Sequence, residues 1–176
     1  MSIRFERLTI DLIEWARELH NDPEVIKNLT DPHLVTPDEQ LKWFIRLQDS
    51  TSSERLVVQR YGFKSYPIGL VRVDHIDDYN KSVCIGLDIH KDFRGQGLAK
   101  EIYHRLFEKY FSAGYNRIWL MVADYNERAK HIYESLGFQY EGKQREALFK
   151  DGKYFDYLIM SILKKEHEAL NDNSAI

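Results

Sequence analysis

One stretch constrains this chain more than any other: an apolar run, a glycine loop and an amphipathic segment that follow one another closely. Val83-Cys84-Ile85-Gly86-Leu87-Asp88-Ile89 reads as a buried strand. The loop Arg94-Gly95-Gln96-Gly97-Leu98-Ala99 comes next. Beyond it, Ala99, Ile102, Tyr103, Leu106, Phe107, Tyr110 and Phe111 recur at i, i+3, i+4 and i+7, which predicts a helix over 99–113. A glycine loop at a strand-to-helix junction leaves main-chain N–H groups free, and the first helical turn carries partial positive charge. Such a junction suits a phosphate or pyrophosphate.

The remaining composition narrows the function. A length of 176 residues fits one domain, expected over 1–163, with a polar C-terminal tail over 164–176. A formal net charge of −3 supplies no global basic field, so nucleic acid is not the expected partner. The single Cys84 excludes an intramolecular disulfide and a multi-cysteine metal site. The seven histidines show no ligand spacing such as His-Glu-x-x-His, so no metal is expected. The first residues are charged where a signal peptide needs an apolar run, and no apolar stretch is long enough to cross a bilayer. The expected setting is the cytoplasm, with no membrane partner.

Periodicity and punctuation predict the other elements. A strand is expected over 4–8, helices over 10–20 and 23–29, and a helix entered through Thr36-Pro37-Asp38-Glu39, a capping-box sequence, with Leu41, Phe44 and Ile45 inward. Strands follow over 55–61, 68–76 and 82–89, with turns over 62–67 and 77–81. After the 99–113 helix come a strand over 116–123, a helix over 127–136 capped by Asn126, and a hairpin of 138–149 and 154–163 around Asp151-Gly152. This order mixes antiparallel meanders with one βαβ crossover and predicts an α+β (mixed α/β) fold. Cys84 reads as a core residue of its strand.

Two motifs carry a resemblance. Arg94-x-x-Gly97-x-Ala99 resembles the acyl-CoA pyrophosphate motif of the GCN5-related N-acetyltransferase (GNAT) superfamily, and Asn126, Ala129, Tyr133, Gly137 and Phe138 resemble that superfamily's downstream pattern. The resemblance implies a central, mostly antiparallel sheet with a splayed parallel strand pair, flanked by helices. It implies acetyl-CoA as cosubstrate, with the main chain of Gly95, Gln96, Gly97, Leu98, Ala99 and Lys100, after Arg94, around the pyrophosphate. The pantetheine arm would pair with the strand at Leu87, Asp88 and Ile89, and Asn126 would bind the pantetheine or a nearby water. The family reaction is direct attack of an amine on the thioester, with Tyr133 as general acid toward the departing thiolate. The oxyanion would meet an N–H near Leu87 or Ile89.

The acceptor is less sharply defined. The segments 21–24, 36–40 and 151–154 are similar to three branches, which acetylate nucleotide-linked amino sugars, spermidine or spermine, and ribosomal-protein N-termini. A small-molecule amine is the expected acceptor. Asp74 and His75 are candidates for a water-linked base or an acceptor contact, although a solvent-facing strand end is the preferred reading of both. Asp31, Glu39, Asp77 and Asp78 are further candidates for a cationic acceptor, and Trp43, Phe44, Tyr154, Phe155 and Tyr157 for the wall of its pocket. The resemblance also implies a homodimer through the open edge of the C-terminal hairpin. Two other classes remain in view: a non-catalytic acyl-CoA-binding module, and a dinucleotide-dependent oxidoreductase built on Gly95-x-Gly97 and Asp124. Lys100 stands where the latter needs its third glycine.

Overall fold

A computed structural model describes residues 2–29, 32–61 and 65–173. The expected acceptor contact Asp31 and the 62–64 part of a predicted turn lie outside the described residues. The chain forms two compact units, one of Met1–His75 with Gly86–Leu98 and one of Ile76–Ile85 with Ala99–Ile176.

The first unit holds β1 (Ser2–Arg7), α1 (Ile13–His20), α2 (Pro23–Ile26), α3 (Pro37–Gln48), β2 (Glu54–Tyr61), most of β3 (Tyr66–Asp77) and the second half of β4 (Ser82–Ile89). β1 pairs antiparallel with β2, and β2 with β3. Leu8, Ala16, Leu19, Val25, Leu29, Phe44, Val57 and Leu70 form a core with Trp15 and Trp43 packed on it. The predicted capping box is present: Thr36 Oγ1 accepts from Glu39 N, and Thr36 N donates to the Glu39 carboxylate. The inward face of α3 differs from the expected one. Gln40 is buried with Phe44, because its Nε2 donates to Ile13 O at 3.2 Å. A helix turns about 100° per residue, so Leu41 and Ile45 swing outward and are 41% and 57% exposed.

Gly69 of β3 lies against β4. A Cβ built there would stand 2.7 Å from Asp88 O, a main-chain atom that cannot yield as a side-chain tip can. Gly69→Ala therefore forces backbone apart and is expected to cost about 1–3 kcal/mol, read as a lower urea midpoint. An unchanged midpoint would mean that the two backbones are not this close.

The second unit holds the first half of β4, α4 (Leu98–Ser112) from Ala99 onward, β5 (Arg117–Ala123), α5 (Glu127–Ser135), β6 (Gln139–Lys150), β7 (Lys153–Leu163) and α6 (Lys164–Asn173). β4 pairs parallel with β5 from Ser82↔Arg117 to Cys84↔Trp119; Cys84 is half-buried rather than fully in the core. β7 pairs antiparallel with β5 and β6. Asp151 and Gly152 both have positive φ (50° and 76°), as the predicted Asp-Gly hairpin turn requires. α4 buries Ile102, Tyr103, Leu106, Phe107, Tyr110 and Phe111 of the predicted stripe, while its first member, Ala99, is half-buried.

Residues 164–173, expected as part of a polar tail, are helical instead. Glu166 accepts from Leu163 N at 2.9 Å at the helix start. The His167 ring lies 5.0 Å from Phe107 and 5.4 Å from Phe111. Tertiary packing of a few residues thus overrides a weak local pattern.

Among the described residues the strand order is β1-β2-β3-β4-β5-β7-β6, with β1/β2, β2/β3, β5/β7 and β7/β6 antiparallel and β4/β5 parallel. With its helices this is the expected mixed α/β class. No helix among the described residues is long and apolar enough to cross a membrane.

Candidate active site

β4 ends at Ile89, and a short 3-10 turn, Lys91–Phe93, leads into the glycine loop. Gly95 and Gly97 have φ of 76° and 75°, a region that L side chains rarely adopt. A Cβ built at either meets no atom within 4 Å, so the loop presents bare main chain toward open space. α4 starts at Leu98, directly after the second glycine, and its first-turn N–H groups have no intrahelical partner. Bare main chain, open space and a helix N-terminus fit a diphosphate group.

The motif arginine does not face that space. Arg94 Nε donates to Ile89 O at 2.8 Å and Nη1 to Asp22 Oδ1 at 3.1 Å. Burial pushes the Asp22 carboxyl up, and the Arg94 guanidinium with the Glu24 N–H more than offsets this, holding it below the usual range. Asp22 also caps α2 through Glu24 N at 2.8 Å. Upstream, the Asp88 carboxylate is neutralised by Arg72 (Nε to Oδ2, 3.0 Å), while Leu87 and Ile89 are half-buried. His20, half-buried within the fields of Asp88 and Arg72, is held below its usual range chiefly by burial.

In the second unit, the downstream motif is a helix with a defined start and stop. Asn126 Oδ1 accepts from Ala129 N at 3.2 Å, so this side chain is an N-cap, as expected. At the other end Gly137 N donates to Glu134 O and Phe138 N to Tyr133 O, each at 3.0 Å, with Gly137 at φ 89°. These are the two bonds of a Schellman stop, which favours an apolar contact between the same flanking positions. Here that contact joins Tyr133 and Phe138, with ring centroids 5.7 Å apart. Fully buried Tyr103 meets Tyr133 edge-on at 5.6 Å. The Tyr-x-x-x-Gly-Phe spacing therefore fixes the aromatic ring of Tyr133, which stays half-buried.

The other candidates are mostly engaged in structure. Asp74 pairs with Arg55 at 2.9 Å, and Arg55 in turn lies over the Trp43 ring. His75 is exposed with φ 51°. Glu39 closes the capping box, Asp77 caps the turn at Asn80, and Asp78 accepts from Tyr115 Oη. Phe44 and Tyr157 are core residues, Phe155 packs on Tyr125, and Tyr154 is 63% exposed beside Phe149. Sequence reasoning treated Asn21-Asp22-Pro23 as helix punctuation and as part of the 21–24 likeness to the three acceptor branches. It missed Asp22 as the partner of Arg94, 72 residues away, because nothing local signals so distant an ion pair.

Comparison with known proteins follows the same lines. Residues 3–139 match the family model described as an acetyltransferase (GNAT) domain. The chain is 33% identical to spermidine N(1)-acetyltransferase of Vibrio cholerae serotype O1, over 88% of this chain and 89% of that protein. It is 32% identical to the putative ribosomal N-acetyltransferase YdaF of Bacillus subtilis, over 57% of this chain but only 55% of that relative. The crystal structure of spermidine N-acetyltransferase from Vibrio cholerae in complex with CoA and spermine superposes with a TM-score of 0.87 at 25% identity, covering 94% of this chain and 98% of that one. The chain belongs to the GNAT acetyltransferase family and is an acetyl-CoA-dependent N-acetyltransferase.

Proposed function

We propose that this enzyme acetylates a primary amine of a polyamine such as spermidine or spermine. The observation that carries the reading is the similarity to spermidine N-acetyltransferases over nearly the whole chain, including a structure with CoA and spermine bound. The shorter match to a putative ribosomal N-acetyltransferase supports the second reading, a protein N-terminus as acceptor. The open edge of β6 supports a homodimer in the same proposal.

The chemistry asks three things of the residues. The acceptor must attack as the free amine, yet an alkylammonium has a pKa of about 10.4, so about one molecule in a thousand is neutral near pH 7.4. Its nitrogen lone pair adds to the thioester carbonyl, and the oxyanion takes an N–H of β4 near Leu87 or Ile89. The C–S bond then breaks, and Tyr133 Oη gives its proton to the sulfur. The amine proton leaves to water, and water returns one to Tyr133. Gly95 through Lys100 hold the diphosphate with main-chain N–H groups, and Asn126 borders the pantetheine.

A panel assay of thiol release with spermidine, spermine, a nucleotide-linked amino sugar and a ribosomal N-terminal peptide tests the acceptor. Release with the polyamines at least about tenfold above the others, in kcat/KM, is the expected result; tenfold corresponds to about 1.4 kcal/mol of transition-state preference. Silence with both polyamines contradicts the proposal.

A further inference from the structure

We propose that Asp22 is a positioning residue for the acyl-CoA loop, acting through Arg94. The proposal rests on the reading that main-chain N–H groups of 95–100 hold the diphosphate.

The two glycines do little to hold the loop in shape. Gly95 and Gly97 touch nothing on the side where a Cβ would project, so packing there supplies no stiffness. Glycine also has more backbone freedom to lose than any other residue. A main-chain array that must be ordered at each binding event binds more weakly than one already ordered. Order must therefore come from the residues around the two glycines, among them what grips the entrance of the loop.

Arg94 is that grip. Its Nε closes the turn back onto Ile89 O, and its Nη1 reaches Asp22, the residue that starts α2. Both side chains are largely buried, with 21% and 16% of their surface exposed. Nη2 is buried with no partner among the described residues, and Asp22 is the carboxylate ion-paired with this guanidinium, while Glu24, paired with Lys27, adds only its field. Phe93, the preceding residue, is stacked on Tyr66 at 5.6 Å, and Gln96 Nε2 bonds Asp92 O at 3.0 Å. The ion pair thus ties the first residue of the motif to a helix far away in sequence. A planar guanidinium with two directed bonds holds an angle as well as a distance.

An opposite role is conceivable on charge alone. A carboxylate near a dianionic ligand repels it, and Asp22 would then merely hold Arg94 away from the phosphates. The two roles predict opposite signs.

Calorimetric titration with CoA, together with kcat and KM for acetyl-CoA, decides between them. Asp22→Ser keeps an N-cap oxygen for α2 but is too short to reach Arg94. Its CoA affinity is expected to fall about tenfold, as a slightly misplaced binding array would. KM for acetyl-CoA should rise by a similar factor while kcat falls less than about twofold. Arg94→Gln removes the charge that needs Asp22. Adding Asp22→Ser to Arg94→Gln is expected to weaken binding by less than about twofold further, because residues acting as one unit are not additive. Affinity unchanged or tighter in Asp22→Ser overturns the proposal, as does full additivity of the two changes. Wild-type protein that fails to bind CoA at all would overturn the reading of the loop itself. Binding by wild type and Asp22→Ser alike would sink only the positioning role.

Discussion

Tyr133→Phe is expected to lower kcat by about 100-fold or more while KM for acetyl-CoA changes less than about twofold, since general acid catalysis contributes typically 10²–10⁴. The substitution is clean because of what holds the ring. The contacts to Tyr103 and Phe138 and the helix stop at Gly137 involve the ring and main chain, and phenylalanine keeps them all. Only the hydroxyl is removed. A thiol like cysteine has a pKa of about 8.5, so the departing sulfur gains from a proton at neutral pH and gains less as the solution becomes basic. The deficit of Tyr133→Phe should therefore shrink toward high pH. Stopped-flow or steady-state thiol release across the pH range reads both effects. An unchanged kcat at every pH removes Tyr133 from the reaction.

Gly97→Val should weaken acetyl-CoA binding by about 30-fold or more, with a smaller effect on thermal stability. At φ 75° a β-branched residue is a steric outlier. The left-handed conformation costs about 1–2 kcal/mol for an ordinary L residue, and branching adds to it. The site is open, so the built Cβ meets nothing and the protein itself does not clash. The strain is relieved by letting φ turn negative, which rotates the neighbouring N–H groups away from a shared target. About 2 kcal/mol of lost alignment corresponds to about 30-fold in affinity. Asparagine tolerates the left-handed region better than other residues. Gly97→Asn should accordingly bind better than Gly97→Ala, and Gly97→Val worst. Equal affinities across the three would mean that the φ of residue 97 does not govern the site.

Much of this was legible in the amino-acid sequence, and the reasons are local. β4 reads from its apolar run, α4 from its 3.6-residue period, and the Asp151-Gly152 turn from the demand for two positive φ angles. Asn126 and Gly137 announce the ends of α5 because capping uses residues next to the helix they cap. What escaped depends on partners remote in the chain. α3 presents Gln40 rather than Leu41 because the Gln40 amide finds an acceptor on α1, the Ile13 carbonyl, and so can be buried. α6 forms where His167 finds two phenylalanines of α4. Asp22 looks like a turn residue until Arg94 is beside it. Asp74 looked like a candidate base, yet Arg55 occupies its carboxylate. Isolated charges on a linear sequence do not reveal which are already neutralised.

The central claim is that main-chain N–H groups of 95–100 hold the diphosphate of the acetyl carrier. Amide NMR during titration of the full-length protein with CoA tests it most directly. Saturable shifts at Gly95, Gln96, Gly97, Leu98, Ala99 and Lys100, larger than those of CoA lacking its diphosphate arm, are the predicted result. Saturable binding that leaves these six amides unmoved would contradict the account.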